Sequence, residues 1–376
     1  MARRGSVYQM ADGRWRGAIS LGNGPDGKRL RQTFYGKSQE EVDKLVTAAL
    51  SERDKGLATD PTKETVQQFL ERWLNDVMKH RVRPVTLVSY RYTLRHAYAA
   101  LGSLPLTKLT PPLIQRLYTQ RLDAGASRRT VQYIHSILHK ALNQAVRWNL
   151  LARNPCDAVD APRPVKRDMV TLTEEELRQL VDVMVADELR PLYVLAILTG
   201  ARRGELVALR WQDVDLVKGA IRITRTAEQV GNTVVWSEPK TAKSRRLIPL
   251  PAEAIPVLKA HKAAQAELKM RQRLVWREQG LVFTRWDGSP YIPEFITRHF
   301  GLLVQKAGVP RVRLHDLRHT HATLLLQAGI HPKVVSERLG HSTTTLTMDT
   351  YSHVLPTMQE EAARTLDNLL GEGKKR

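Results

Sequence analysis

Three hydrophobic rhythms follow one another along this chain of 376 residues. In the first, β-prone residues gather in the short runs Ser6–Met10, Trp15–Leu21 and Arg29–Tyr35, separated by Asp12-Gly13 and by the segment Asn23 to Gly27. Short runs divided by such turn residues predict a small antiparallel sheet. Ser38 and Glu41 then form a capping box ahead of Val42, Leu45, Val46 and Ala49, so a helix closes the unit. From Glu64 to about Asn149 the spacing becomes helical, with Val66, Phe69, Leu70, Trp73 and Val77 on one stripe. Leu87, Tyr90, Leu94 and Tyr98 mark a second stripe, Leu113 and Leu117 a third, and Val131, Ile134, Leu138, Leu142 and Val146 a fourth. Four amphipathic helices can close a small bundle, and the aromatic residues in these stripes read as core.

From Met169 onward the rhythm is mixed but mainly helical. Glu174–Met184 and Arg190–Leu198 are helix-like, and Ala220–Thr226, Thr233–Trp236 and Arg246–Leu250 are strand-like. Helices are predicted near Ala252–Arg277, Pro293–Ala307, His319–Ala328 and Pro332–Leu339. Residues 57–63 and the two-proline stretch Ala161–Arg167 read as linkers. The expected domains are therefore 1–56, 64–155 and 168–376.

Composition adds a partner. A formal charge of +21 and a pI near 10.2 exceed what solubility requires, and such an excess points to a polyanion, nucleic acid ahead of an anionic membrane surface. The excess is already present before residue 165, so more than one domain is expected to touch DNA. Arg14, Arg16, Arg29 and Arg31 alternate along the second and third predicted strands, and a ribbon of that width fits the major groove. Arg128 and Arg129, in Ser127-Arg-Arg-Thr130 at a predicted helix start, can hold phosphates. A single cysteine, Cys156, excludes an intramolecular disulfide and a cysteine-based zinc site. No apolar run has the length of a signal peptide or a membrane span, so the expected location is cytoplasmic, at the nucleoid of a bacterial host, with no membrane partner.

The candidate chemistry lies in four short strings. Thr199-Gly-Ala-Arg202 carries an arginine beside Glu205; His315-Asp-Leu-Arg318 carries a histidine and a second arginine; Leu339-Gly-His341 and Tyr351 follow. Two forked guanidiniums suit the non-bridging oxygens of a phosphodiester, whose charge grows in the transition state, and a tyrosine hydroxyl can act as nucleophile. His315, His319 and His321 crowd one segment, but their spacing lacks the pattern of a helical metal site, so no metal is expected.

Together and in this order, the strings resemble those of the tyrosine recombinases, the phage-integrase family. The resemblance implies a multidomain protein: a β-sheet-plus-helix arm-type DNA-binding domain, an all-α SAM-like core-binding domain, and a mixed, mainly α catalytic domain of the DNA breaking-rejoining type. It implies Tyr351 as nucleophile, forming a 3′-phosphotyrosyl ester, Arg202, Arg318 and His341 on the phosphate, and His315 as general base. The string Pro239 to Leu250 resembles the family's lysine-bearing β-hairpin, so Lys240 is the expected acid for the leaving 5′-oxygen, with Lys243 its rival. Glu205 is expected to position the arginines. No cofactor and no ATP are implied. The implied partners are double-stranded DNA at core and arm attachment sites, a homotetramer on synapsed DNA, and accessory bending and directionality factors. The expected function is integration or excision of a mobile element. A type IB topoisomerase and a Xer-type resolvase are the nearest alternatives, and both are disfavoured by the extra N-terminal domain. A non-catalytic DNA-binding regulator has no use for the nucleophile. The stripe Met358, Ala362, Leu366, Leu369 and Leu370 predicts a C-terminal tail helix that packs on its own domain or on a neighbouring protomer.

Overall fold

A computed structural model describes residues 6–23, 29–54, 64–164, 169–238, 244–341, 343–351, 363–364 and 366–367. Lys240, Lys243 and every residue of the expected tail-helix stripe except Leu366 lie outside the described residues. The chain divides into two compact units, Met1–Lys166 and Arg167–Arg376.

The first unit opens with an antiparallel sheet, β1 (Ser6–Gln9), β2 (Trp15–Asn23) and β3 (Arg29–Gly36), in that order. Helix α1 (Gln39–Asp54) follows, and Val42, Val46 and Ala49 pack with Ile19 into a small core. The register sets Tyr8 opposite Arg16, Arg16 opposite Tyr35, and Ser20 opposite Arg31. Period-two pleating therefore gathers Tyr8, Arg16, Arg31 and Tyr35 on the face away from that core. The Arg16 guanidinium lies 6.0 Å from the Tyr8 ring centroid and 5.9 Å from that of Tyr35. Arg14 departs from the expected alternation. It precedes β2, in the turn, where its guanidinium forks onto Asp12 at 2.6 and 2.9 Å. Arg29 begins β3, opposite Asn23 and beyond the bulge that Leu21 makes in β2 between Ser20 and Gly22.

Helices α2 (Val66–Trp73), α3 (Pro84–Leu101), α4 (Pro111–Asp123) and α5 (Arg128–Arg147) bury the predicted stripes in one core, including Phe69, Trp73, Leu94, Leu117, Ile134 and Leu138. A π-helical turn, Leu74–Met78, continues α2. Ser127 caps α5, its hydroxyl accepting the Thr130 N–H, and leaves Arg128 and Arg129 exposed in the first turn. Cys156 is buried and its thiol is pushed up to about 12 by burial, so it is inert.

The second unit contains α6 (Glu174–Asp182), α7 (Arg190–Thr199) and the short α8 (Arg203–Val207). Strands β4 (Val214–Asp215), β5 (Ala220–Ile223), β6 (Thr226–Val230), β7 (Thr233–Ser237) and β8 (Arg246–Pro249) come next. Helices α9 (Ala254–Arg271), α10 (Pro293–Ala307), α11 (Asp316–Gln327), α12 (Pro332–Leu339) and α13 (Thr344–Tyr351) follow. Its core is centred on α7, with Leu192, Tyr193 and Leu195 against Phe283, Ile296 and Phe300. The run Ala220–Thr226 is not one strand. It breaks at Thr224 and Arg225, where the Arg225 Nε donates to the Ala208 carbonyl at 2.8 Å, and two separate sheets result, β4-β5-β8 and β6-β7. Strands β7 and β8 thus belong to different sheets, and the expected hairpin turn with Lys240 lies outside the described residues. Helix α9 ends at Arg271, short of Arg277. Helix α11 begins three residues earlier than predicted, because the Asp316 carboxylate reaches back to the Arg313 N–H at 2.8 Å and caps the new first turn. Among the described residues no helix is long and apolar enough to cross a membrane.

Candidate active site

Two glycines in left-handed conformation build the frame of the site. Gly200 (φ 62°) ends α7 and Gly340 (φ 67°) ends α12. A Cβ on Gly200 would stand 2.6 Å from a Leu339 methyl, and one on Gly340 would stand 2.9 Å from Arg246 Nη1, so glycine is needed for space as well as for φ. At α12 the Gly340 N–H returns to the Glu337 carbonyl and the His341 N–H to that of Ser336, both at 3.0 Å, which is the Schellman closure. The terminal carbonyls of both helices, at the negative ends of their dipoles, are thereby left to accept from arginines.

Arg318, in the first turn of α11, is buried. Its Nη1 donates to the Gly200 carbonyl at 2.8 Å and its Nη2 to the Leu339 carbonyl at 2.6 Å. Arg202, just ahead of α8, donates from Nη2 to the very next carbonyl, that of Gly340, at 3.2 Å. The two guanidiniums, 116 residues apart in sequence, are thus anchored on consecutive peptide groups, and His341 is the residue that follows. Arg202 keeps 37% of its side chain exposed, enough to meet a ligand.

Glu205 is almost wholly buried and holds two arginines. Its Oε2 accepts the Arg202 backbone N–H at 2.9 Å and its Oε1 accepts Arg202 Nη1 at 2.8 Å. Arg246, at the start of β8, donates to the same carboxylate at 2.9 and 3.2 Å. Burial pushes the Glu205 carboxyl up, but the Arg246 hydrogen bond and charge, then Arg202, outweigh this and hold it below the ordinary range. Arg246 also donates from Nε to the Arg338 carbonyl at 2.7 Å, which ties the strand after residue 243 to the end of α12. The sequence reading missed Arg246. Its signal there was only one more basic residue in Ser244-Arg-Arg-Leu247, because its partner Glu205 is 41 positions away.

The histidines divide by role. His321 is structural: Nδ1 donates to the Ile197 carbonyl at 2.9 Å and Nε2 accepts from Arg338 Nε at 3.1 Å, so both ring nitrogens are engaged. Arg338 further reaches the Leu198 and Pro249 carbonyls at 3.0 and 3.1 Å. His315 stands immediately before α11, edge-to-face with His319 at 5.3 Å, and its imidazole is pushed down to about 4 by burial, then by His319 and Arg318. His341 is likewise pushed down to about 4 by burial and then by Arg318 and Arg202, and its Nδ1 lies 2.7 Å from the Thr347 hydroxyl. Both rings are therefore neutral near pH 7 in a site where Arg202, Arg246 and Arg318 outnumber the Glu205 carboxylate, a setting that favours an anionic ligand. Among the described residues no group of His, Cys, Asp and Glu could hold a metal ion.

Tyr351 is the last residue of α13 (Thr344–Tyr351), and this helix begins three residues after His341. The structure therefore gathers Arg202, Glu205, Arg318 and His341, and it places the Tyr351 backbone on the next element. The N-terminal arginines and Arg128 and Arg129 belong to the first unit.

A model of the phage integrase family matches residues 170–358, and a model of the SAM-like N-terminal domain of phage integrases matches residues 65–122. A protein of Caldanaerobacter subterraneus named tyrosine recombinase XerC-like is 30% identical over 98% of this chain and 100% of its own. The chain belongs to the phage integrase family. It is a tyrosine recombinase, an enzyme of site-specific DNA cleavage and rejoining. The ICEBs1 integrase of Bacillus subtilis is 26% identical over 97% of this chain and 100% of its own, and the integrase of Mycobacterium phage L5 is 29% identical over 93% and 94%. Solved structures show the same fold. The Tn1549 transposon integrase in complex with a circular intermediate DNA matches with a TM-score of 0.66 at 22% identity, covering 77% of this chain and 95% of that one. A lambda integrase tetramer bound to a Holliday junction matches with a TM-score of 0.58 at 20% identity, covering 92% and 94%.

Proposed function

We propose that this recombinase integrates or excises a mobile DNA element, with Tyr351 as its nucleophile. The observation that carries the assignment is the convergence of Arg318 and Arg202 on the Leu339 and Gly340 carbonyls, with His341 next in the chain and the tyrosine helix directly after it. In the proposed reaction the Tyr351 oxygen attacks the scissile phosphorus in line. The phosphorus–5′-oxygen bond breaks, and the strand is left as a 3′-phosphotyrosyl ester with a free 5′-hydroxyl. Arg202 and Arg318 bind the non-bridging oxygens and offset the charge that grows on them. His341 is a further donor to that charge. His315, neutral near pH 7, takes the tyrosine proton, and Lys240 gives one to the departing 5′-oxygen. A 5′-hydroxyl from a second duplex reverses the step, so the ester bond conserves the energy of the broken linkage and neither ATP nor metal is required.

In this reading the face of Tyr8, Arg16, Arg31 and Tyr35 binds arm sites, while the helical bundle and the catalytic domain grip the core site. The working assembly is a homotetramer on synapsed DNA, assisted by bending and directionality factors, at the nucleoid in the host cytoplasm. A duplex nicked beside the scissile phosphate and labelled on the cleaved strand tests the chemistry on a denaturing gel. The wild-type chain should yield a slow-migrating covalent adduct in the presence of chelator, and Tyr351→Phe should yield none. An adduct in the phenylalanine variant, or a strict need for divalent metal, would overturn the proposal.

A further inference from the structure

Helix α13 carries a hydrogen bond that the reaction above does not use. The Thr347 hydroxyl lies 2.7 Å from His341 Nδ1, and Thr347 is fully buried. We infer that Thr347 is a positioning residue whose hydroxyl donates to His341 Nδ1, keeps the imidazole proton on Nε2, and holds helix α13 against the Gly340 turn. The inference rests on the reading of Tyr351 as nucleophile and extends it to the group that aims both His341 and that tyrosine.

Two geometric facts support it. A neutral imidazole has one donor and one acceptor nitrogen, and the partner of one nitrogen decides the state of the other. If Nδ1 donated to Thr347, Nε2 would turn a lone pair toward the phosphate oxygens that Arg202 and Arg318 collect. If the hydroxyl donates, Nε2 carries the proton and faces those oxygens as a donor. A threonine can hold this bond because branching at its Cβ restricts the rotamer.

The second fact is the place of the bond. Thr347 stands four residues before Tyr351 in α13 and is fully buried, and its bond to His341 spans the turn between α12 and α13. One bond therefore fixes both the imidazole and the backbone of the helix that ends at Tyr351.

The test is single-turnover adduct formation by the full chain on the nicked duplex, with Thr347→Val, Thr347→Ser and Tyr351→Phe in parallel. Valine keeps the volume and removes the hydroxyl; serine keeps the hydroxyl. Thr347→Val should retain core-site affinity and lose about ten- to thirty-fold in adduct rate, the loss of one buried hydrogen bond that matters in the transition state. Thr347→Ser should recover most of that rate. In a His341→Phe background the valine change should cost nothing more, because its effect runs through His341. A valine variant within twofold of wild type, or an undiminished valine effect without His341, would overturn the inference while Tyr351→Phe remained inactive. An adduct in Tyr351→Phe would instead remove the reading on which it rests.

Discussion

Replacing Glu205 by glutamine should separate the hold on Arg202 from the phosphate contact itself. The carboxylate accepts four bonds: the Arg202 N–H, Arg202 Nη1, and both Arg246 terminal nitrogens. An amide of the same shape offers one accepting oxygen and sets two donors against a guanidinium. It also leaves Arg246, whose side chain is 7% exposed, without a carboxylate in a buried site. Breaking a buried ion pair from one side costs about 3–5 kcal/mol, because the remaining charge stays desolvated. Arg246→Met should cost less, about 1–3 kcal/mol, because Glu205 keeps Arg202 as a partner. The assay is hydrogen exchange of α8 peptides in the full-length chain, read by mass spectrometry, which gives the local opening free energy in each variant. The double variant should be less destabilised than the sum of the two single ones. The reasoning fails if Glu205→Gln opens α8 by less than about 1 kcal/mol or if the two variants are strictly additive. In the nicked-duplex assay Glu205→Gln should slow adduct formation and leave core-site binding nearly intact.

Acidification provides a second check. His315, His321 and His341 sit near 4 in the folded chain against an ordinary 6.5, so the unfolded chain takes up protons first. The stability these rings contribute is fully present above about pH 6.5 and is lost as pH falls toward about 4, and melting temperatures of the full chain should drop in that window. Imidazole proton resonances of the three rings that titrated near 6.5 would contradict this. On the DNA side, Arg128→Ala and Arg129→Ala should each weaken core-site binding across sequences and reduce the salt slope by about one, as measured by fluorescence anisotropy at several ionic strengths. An unchanged slope would exclude them as phosphate contacts. In the N-terminal sheet, Arg16→Ala should weaken arm-site binding more than Arg14→Ala, because Arg14 is already forked onto Asp12 away from the strand; equal losses would place both on the DNA.

Local signals made much of the fold legible. The helices Pro293–Ala307 and Pro332–Leu339 have the ends the sequence predicts, set by prolines at their starts and glycines just past their last residues. Every residue of the apolar stripes between Val66 and Val146 lies in the core of the helical bundle or packs against it. Illegible features were those decided at a distance. The run from Ala220 reads as one strand until Arg225 turns to the Ala208 carbonyl and the chain changes sheet. Arg246 gains meaning only from Glu205, and Thr347 only from His341, which α13 brings into reach. The site residues stood out by type and order, but sequence could not show that backbone carbonyls at the ends of α7 and α12 hold Arg318, or that desolvation and cationic neighbours keep His341 neutral.

The central claim is that Tyr351 becomes covalently joined to the cleaved strand. The most direct measurement traps the adduct on the nicked duplex, digests protein and DNA, and locates the modified residue by mass spectrometry. The account predicts a nucleotide 3′-phosphate on Tyr351 within the tryptic peptide that begins at Leu339, and its absence from Tyr351→Phe. A modification on another residue, or one undiminished in the phenylalanine variant, would contradict it.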